Sequence, residues 1–432
     1  MSGRAAARGP LAVWAVAMAA YAVAVAHRSS FGVAGLEATE RFGVDATVLS
    51  LFVVIQLSTY AAMQVPMGVA LDRRGPRTML VLGSVTMALG QLAMAFAPNV
   101  GIALAARVLI GSGDAAMFVS AVRLVTSWFD RRRVPLFTQL TGIVGQTGQV
   151  VSALPFAFTL HRDGWAPAFV GLAGLGLVSA FAARAGIRDT PPGADPGVVT
   201  GSRLAGLGDT LRHPGTWLGF WTHMLGQAGI NVFVLMWGVP FLVEGQGLTP
   251  GKAGGLLAWN VAVGIVAGPV LGEFTARHPL RRSWAVLAVA AGVGLGWLIV
   301  LVPDTPRPLW QLVLFVTLIS VGGPASLIGL DFAATSNPPH RIGAAQALAN
   351  MGGFVSAVVA MLAIGLALDH LAPGGDPTLT DYRAAMSLVL VPWLVALVAV
   401  LVTRARTRAV TGVAMPPLAQ AWARWRAEHR RG

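Results

Sequence analysis

The stretch GVALDRRGPRT, residues 68–78, sets one acid and three arginines in a short turn between two long apolar runs. The runs cover 47–71 and 78–97, and a helix needs about 20 such residues to cross the ~30 Å hydrocarbon core of a bilayer. A Gly75-Pro76 step is turn chemistry. Arginines at the mouth of an apolar hairpin mark a membrane surface. This one segment therefore predicts a membrane helix, a tight basic turn and a second membrane helix.

The same pattern repeats along all 432 residues. Ten further apolar runs fall at 11–35, 100–126, 135–160, 165–185, 214–243, 249–274, 283–302, 309–331, 342–368 and 382–403. We number the twelve runs in chain order as spans 1–12. Residues 1–185 are expected to form one six-helix bundle and 214–403 another. The stretch 186–213 carries Pro191, Pro192, Gly193 and Pro196 and reads as a cytoplasmic linker, and 404–432 as a basic cytoplasmic tail. Span 1 is too long for a signal peptide, and eleven more follow it. Composition agrees. Hydrophobic residues make up 55% of the chain and charged ones 11%, with mean hydropathy +0.68. One soluble core cannot absorb that much apolar surface. The expected fold class is an all-α integral membrane protein, and a soluble enzyme is excluded.

The net charge of +13 and pI near 11.6 would suggest nucleic acid in a soluble protein. Position decides otherwise. With the N-terminus inside, 23 of the 31 basic residues fall on the cytoplasmic side, five outside and three within spans. That is the positive-inside bias of a membrane protein with both termini cytoplasmic. No nucleic-acid partner is needed. There is no cysteine, so disulfides, thiol nucleophiles and cysteine-held metals are excluded. No phosphate-cradling glycine loop, zinc-protease motif or serine elbow occurs. Neither an ATP-driven pump nor a hydrolase has its parts, and no cofactor is expected.

The halves are related by a shift of 204 residues. GVALDRRGPRT at Gly68 falls on GEFTARHPLRR at Gly272, Gln56 on Asn260, and Gln146 on Asn350. A two-half membrane protein with polar positions repeated inside its helices has the signature of a repeat-built transporter.

At this point the residues resemble a known family. Gly68-x-x-x-Asp72-Arg73-x-Gly75-x-Arg77 is similar to the motif between helices 2 and 3 of the major facilitator superfamily (MFS). Arg107-x-x-x-Gly111 resembles its helix 4 motif, and Trp128-Phe129 before Arg131–Arg133 its helix 4–5 junction. The resemblance spans essentially the whole chain. The second-half copy of the first motif is degenerate, with Ala276 opposite Asp72 and Pro279 opposite Gly75. The family implies two six-helix bundles that rock about a central site. It also implies that Asp72, with Arg73, Arg77 and Asp130 nearby, holds the halves together on the cytoplasmic side, near the start of span 11. The alternative is a plain basic loop.

Candidate site residues follow. Asp114 is the only acid near mid-span. It shares a face of span 4 with Arg107, about 10 Å along the axis at 1.5 Å per residue, too far for a direct bridge. Ionisable groups inside a membrane are costly and mark function or pairing. Asp114, with Arg107, is read as a proton-coupling site or else as half of an ion pair with an arginine of a neighbouring helix. His27-Arg28-Ser29-Ser30 looks like the helix 1 segment with which organic-anion and organophosphate carriers of the superfamily bind their substrate's charge. Arg28 shares a stripe with Trp14 and Tyr21. It is an anion anchor or an arginine snorkelling outward. Polar stripes run along span 2 (Gln56, Tyr60, Gln64), span 5 (Gln139, Gln146, Gln149), span 7 (His223, Gln227, Asn231) and span 11 (Gln346, Asn350), with Asn260 on span 8. They line a substrate cavity or bond between helices. Asp331 is expected to pair with Arg341. Helix 5 has GQTGQ where drug antiporters of the family carry a Gly-Pro pair.

The resulting expectation is a monomeric, proton-coupled transporter of a small organic anion in a bacterial inner membrane. Drug efflux is the alternative, and a non-transporting sensor on the same fold is another. The tail tryptophans Trp422 and Trp425 suit an amphipathic segment on lipid.

Overall fold

The computed structural model describes residues 9–44, 46–192, 203–372 and 377–412. Every regular element among them is a helix. Ten helical segments are long and apolar enough to cross a membrane, and two local features bring the arrangement to the twelve expected spans. The helix Ala46–Ala95 is two spans joined at Gly75, whose φ of 78° and ψ of 160° interrupt the helical path. A side chain there would be strained, so glycine is required. Span 5 runs through Val134–Val151, a π-helical stretch Ser152–Phe156, and Ala157–Asp163. Pro155 lies in the π stretch, where the ring's missing N–H disturbs the ordinary ladder.

Spans 4, 7, 8 and 12 begin at side-chain caps. Span 1 is Pro10–Val33. Span 4, Val100–Trp128, starts with the Asn99 side chain accepting from Ile102 N at 3.0 Å. Span 6 is Trp165–Gly186. Span 7 starts as Pro214–Val232 and passes through π stretches at Phe233–Trp237 and Phe241–Gly245. Span 8 is Pro250–Arg277 and span 9 is Arg282–Leu301. Span 10 comes in pieces, Leu309–Ser320, Gly322–Ser326 and Ile328–Thr335. Span 11 is Ile342–Leu371. A Thr378/Asp381 capping box opens span 12, which continues as Leu390–Thr411.

Within the linker 186–213, Arg203–Arg212 is helical. One expectation is corrected here. Asp331 does not pair with Arg341. It binds Arg282 at 2.7 Å within the second half, and Arg341 binds Asp209 of that linker helix at 3.0 Å. The tail carrying Trp422 and Trp425 lies outside the described residues.

Glycines set the close helix contacts. Gly219 and Gly226 of span 7 meet Gly329 and Gly322 of span 10, each facing the other's backbone oxygen. Small residues at such crossings let membrane helices touch backbone to backbone.

The cores show how the halves meet. One buried cluster mixes Val13, Met18, Leu124 and Trp128 of the first half with Leu330, Ala333, Ala345 and Ala349 of the second. It lies toward the face on which the arginines concentrate. The first-half cluster at the opposite, arginine-poor end contains Phe31, Phe52, Phe156 and Trp165 and no second-half residue. Among the described residues, the buried clusters thus join the halves on the arginine-rich side, whereas the cluster toward the other end is built from the first half alone.

Candidate functional site

A two-point ion pair joins spans 1 and 4 in the first half. Arg28 of span 1 donates through Nε to Asp114 Oδ2 at 2.6 Å and through Nη2 to Oδ1 at 2.9 Å. The Asp114 side chain is 1% exposed, whereas that of Arg28 keeps 23%. The guanidinium therefore covers the carboxylate and presents its remaining edge outward. Its Cζ lies 5.3 Å from the centre of the Tyr60 ring of span 2. Such a fork matches carboxylate geometry, and another carboxylate in place of Asp114 would match it equally well. Of the two readings left open for Asp114, the geometry shows the pair with a neighbouring helix. Of those for Arg28, the snorkelling one fails, because the side chain turns inward.

Beneath this pair the halves are bridged. Asn350 of span 11 donates to Tyr60 OH at 2.8 Å and to Gln64 Oε1 at 3.0 Å, and Gln64 in turn reaches Ala115 O at 3.3 Å. All three side chains are buried. The ring of Phe354 lies 4.3 Å from that of Tyr60. On the second crossing, Gly268 faces Ile143 and Gly272 faces Pro135 and Leu136. Continuing that antiparallel register puts Asn260 level with Gln149. Asn260 is half-buried and Gln149 exposed.

The remaining expected site residues divide. Tyr21 is buried against Gly145 and Phe118, on the floor beside Arg28. Gln227 is half-buried. Asn231 reaches Gly353 O at 3.5 Å. His223 accepts from Gly353 N at 3.2 Å and is 2% exposed, so it serves as a link between spans 7 and 11. Gln56 is corrected from cavity wall to interior. It is 1% exposed and lies against Gly111 of span 4. Arg107 is also sealed at 1% exposure. Its Nε donates to Phe52 O at 3.4 Å, and its Cζ lies 4.9 Å from the Phe31 ring centre. It makes no contact with Asp114, as the axial spacing predicts. The side chain of Gln146 lies outside the described residues. Gln139 turns from the cavity to donate across the halves to Pro324 O at 2.8 Å, at the break in span 10.

The loop at 68–78 forms the second functional element. Asp72 Oδ1 accepts from Gly343 N and Oδ2 from Ala344 N, both at 2.8 Å. These are the second and third residues of span 11, so a carboxylate caps a helix N-terminus in the other half. Gly68 permits the approach, since a methyl there would stand 2.6 Å from Ala347 Cβ. The expected roles of Arg73 and Asp130 are corrected. Both are exposed, and neither forms an ion pair among the described residues. Two other charges take part, and sequence reading missed both roles. Arg123 of span 4 donates to Pro339 O at 2.8 Å across the halves and lies in the field of both Asp72 and Asp189. Asp189, just past span 6, accepts from Arg77 N at 2.7 Å and sits against Gly75. The Arg77 guanidinium holds Arg184 O. Burial pushes the Asp189 carboxyl up to about 6, against the pull of Arg123. The only advance signal for Arg123 was its place among three arginines inside spans; for Asp189 there was none. Among the described residues no cluster of ligands could hold a metal.

Comparison with known proteins follows this geometry. The family model described as Major Facilitator Superfamily matches residues 17–361. A probable galactarate/D-glucarate transporter of Escherichia coli is 24% identical over 374 residues, covering 78% of this chain and 82% of that one. A probable L-galactonate transporter of the same organism is 29% identical over 154 residues, 36% of this chain and 34% of the other. A putative tartrate transporter of Agrobacterium vitis is 24% identical, covering 78% and 83%. The crystal structure of a bacterial homolog to the human lysosomal transporter Spinster, in an inward-facing and unoccupied conformation, superposes with a TM-score of 0.60. It has 14% identity and covers 94% of this chain and 99% of that one. That likeness bears on the fold.

Proposed function

The chain belongs to the Major Facilitator Superfamily, a multi-pass membrane transporter family and not an enzyme family, and from that premise we propose that it is a secondary active transporter of a small organic anion, driven by protons and working by alternating access. The observation that carries the reading is the two-point Arg28–Asp114 pair, whose carboxylate is buried while the guanidinium side chain keeps 23% exposure. An incoming carboxylate competes with Asp114 for the same fork. Protonating Asp114 removes the competitor, and the substrate carboxylate then takes its place as counter-charge to the Arg28 guanidinium. Substrate and proton then enter together, and each leaves more readily when the other has gone. The names of the relatives, transporters of galactarate/D-glucarate and tartrate, support an organic acid as cargo.

In this reading the arginine-rich face is cytoplasmic by the positive-inside rule, both termini are cytoplasmic, and the protein works as a monomer in a bacterial inner membrane. The two six-helix units, 1–185 and 214–403, are the moving bodies. Asp72 on span 11 closes the cytoplasmic side, so the geometry described is outward-facing. Gating belongs to Gly68, Asp72, Gly75 and Arg77, and coupling to Asp114.

Flux in proteoliposomes tests this, using a panel of carboxylates, phosphate esters and lipophilic cations with and without a pH gradient. Organic-anion uptake that needs inward-directed protons is expected. Arg28→Gln should abolish it, and Asp114→Asn should leave exchange but remove proton dependence. Transport of cations alone would establish the efflux alternative, and no flux of any solute the sensor.

A further inference from the structure

Charge inventory in the cleft narrows the cargo, on the footing of the transport reading above. Among the described residues, Arg28 is the mid-span guanidinium whose side chain keeps partial exposure. Arg107 is sealed beneath the stacked rings of Phe31 and Phe52, which lie 4.4 Å apart. Arg123 sits at the arginine-rich face against Pro339.

The second half offers no counterpart. None of its spans carries a lysine or arginine in its middle. Lys252, Arg307 and Arg383 stand at the arginine-poor rim. Arg383 is committed to Leu301 O and Val302 O, and Arg307 to Thr305. Lys252 is exposed at the start of span 8, two turns or about 12 Å above Asn260. The second-half wall consists of neutral amides. Gln227 and Asn260 are half-buried and hydrogen-bond to nothing among the described residues.

We infer that the site selects a monoanion, a hydroxylated monocarboxylate whose single charge sits on Arg28 and whose hydroxyls meet Gln227 and Asn260. Both amides donate and accept, as a hydroxyl does. A dicarboxylate would bring a second ionised group against a wall with no cation, where an unpaired charge is expensive. Protonating Asp114 does not change this, because it frees one fork, and one fork holds one carboxylate.

The test uses the purified full chain in nanodiscs at pH 7 with two acids of one carbon skeleton, D-gluconate and D-glucarate. Calorimetry should show D-gluconate binding tighter by about tenfold or more, which is ~1.4 kcal/mol, and Arg28→Gln should abolish it. Asn260→Arg supplies the missing cation and should bring the two affinities close to each other. Equal or tighter binding of D-glucarate by the unmodified protein overturns the inference. Binding of neither acid also overturns it. In that case proteoliposome flux separates the failures: if other organic anions still move, only the monoanion assignment falls, and if none moves, the transport reading falls with it.

Discussion

The loop at 68–78 and its copy at 272–282 began from one pattern and now do different work. Each keeps the glycine that lets its helix touch the opposite half. Gly68 lies on Gly343, Ala344 and Ala347, and Gly272 on Pro135 and Leu136. Only the first keeps the acid. Asp72 takes the N–H groups of the second and third residues of span 11. The helix facing the second loop begins at Val134 with Pro135 in its second position. Proline has no N–H to give. An acid at Ala276 would face a helix start from which half the donors are missing. The comparison separates two roles that the repeat once shared, packing on both sides and charge on one. Two of the second loop's three arginines pair within their own half, Arg277 with Glu273 and Arg282 with Asp331.

The comparison breaks most directly at Asp72. Asp72→Ala removes a charged acceptor from two backbone donors, expected to weaken the closed arginine-rich face by roughly 2 kcal/mol. The chain has no cysteine, so a single cysteine at the buried position Ala345 reports opening by its labelling rate. An unchanged rate would show that the charge does not hold the face shut. The glycine pair comes next. Gly68→Ala should accelerate labelling more than Gly272→Ala, because its methyl lands 2.6–2.8 Å from three atoms, while the nearest at Gly272 is 2.9 Å away. Equal effects would mean that the two packings are still equivalent. Smaller still is the reverse construction. Ala276→Asp alone should slow labelling little, and Ala276→Asp with Pro135→Ala should slow it by more than the sum of the two single changes, a coupling read by a double-mutant cycle.

The smallest effect is at Asp189. Its carboxyl is raised to about 6 by burial, so the folded protein binds that proton more tightly than the unfolded chain does. Stability therefore falls as pH rises through ~4 to ~6. Asp189→Asn should lessen this trend, and Asp72, whose carboxyl burial also raises to about 6, should keep the rest. It should match the parent near pH 4.5 and raise Tm by on the order of a degree at pH 7. A parent melting curve independent of pH across that window would remove Asp189 from the account.

The fold was legible because apolar runs of membrane length leave few alternatives, and because GVALDRRGPRT is both a turn and a charge pattern. The site was legible by half. Spacing along span 4 places Asp114 and Arg107 on one face and keeps them apart, and both statements hold. Spacing cannot say which neighbouring helix supplies Asp114's partner, since that depends on how spans 1 and 4 pack. Gln56 and His223 fell on polar stripes like Asn260 did, yet they ended between helices, because a stripe marks a face without saying what covers it. Arg123 and Asp189 meet Asp72 and Gly75 from distant parts of the chain, and no local pattern announces such a meeting.

The glycine contacts between spans 7 and 10 carry a mechanical consequence. They come in two pairs, seven residues apart on each helix, about 10 Å of axis. Bodies touching at one point can swivel, and bodies touching at two cannot. Between the pairs, however, span 10 is interrupted at Leu327. Each glycine pair therefore fixes its own piece of span 10 to span 7, and bending of span 10 is confined to the break between them.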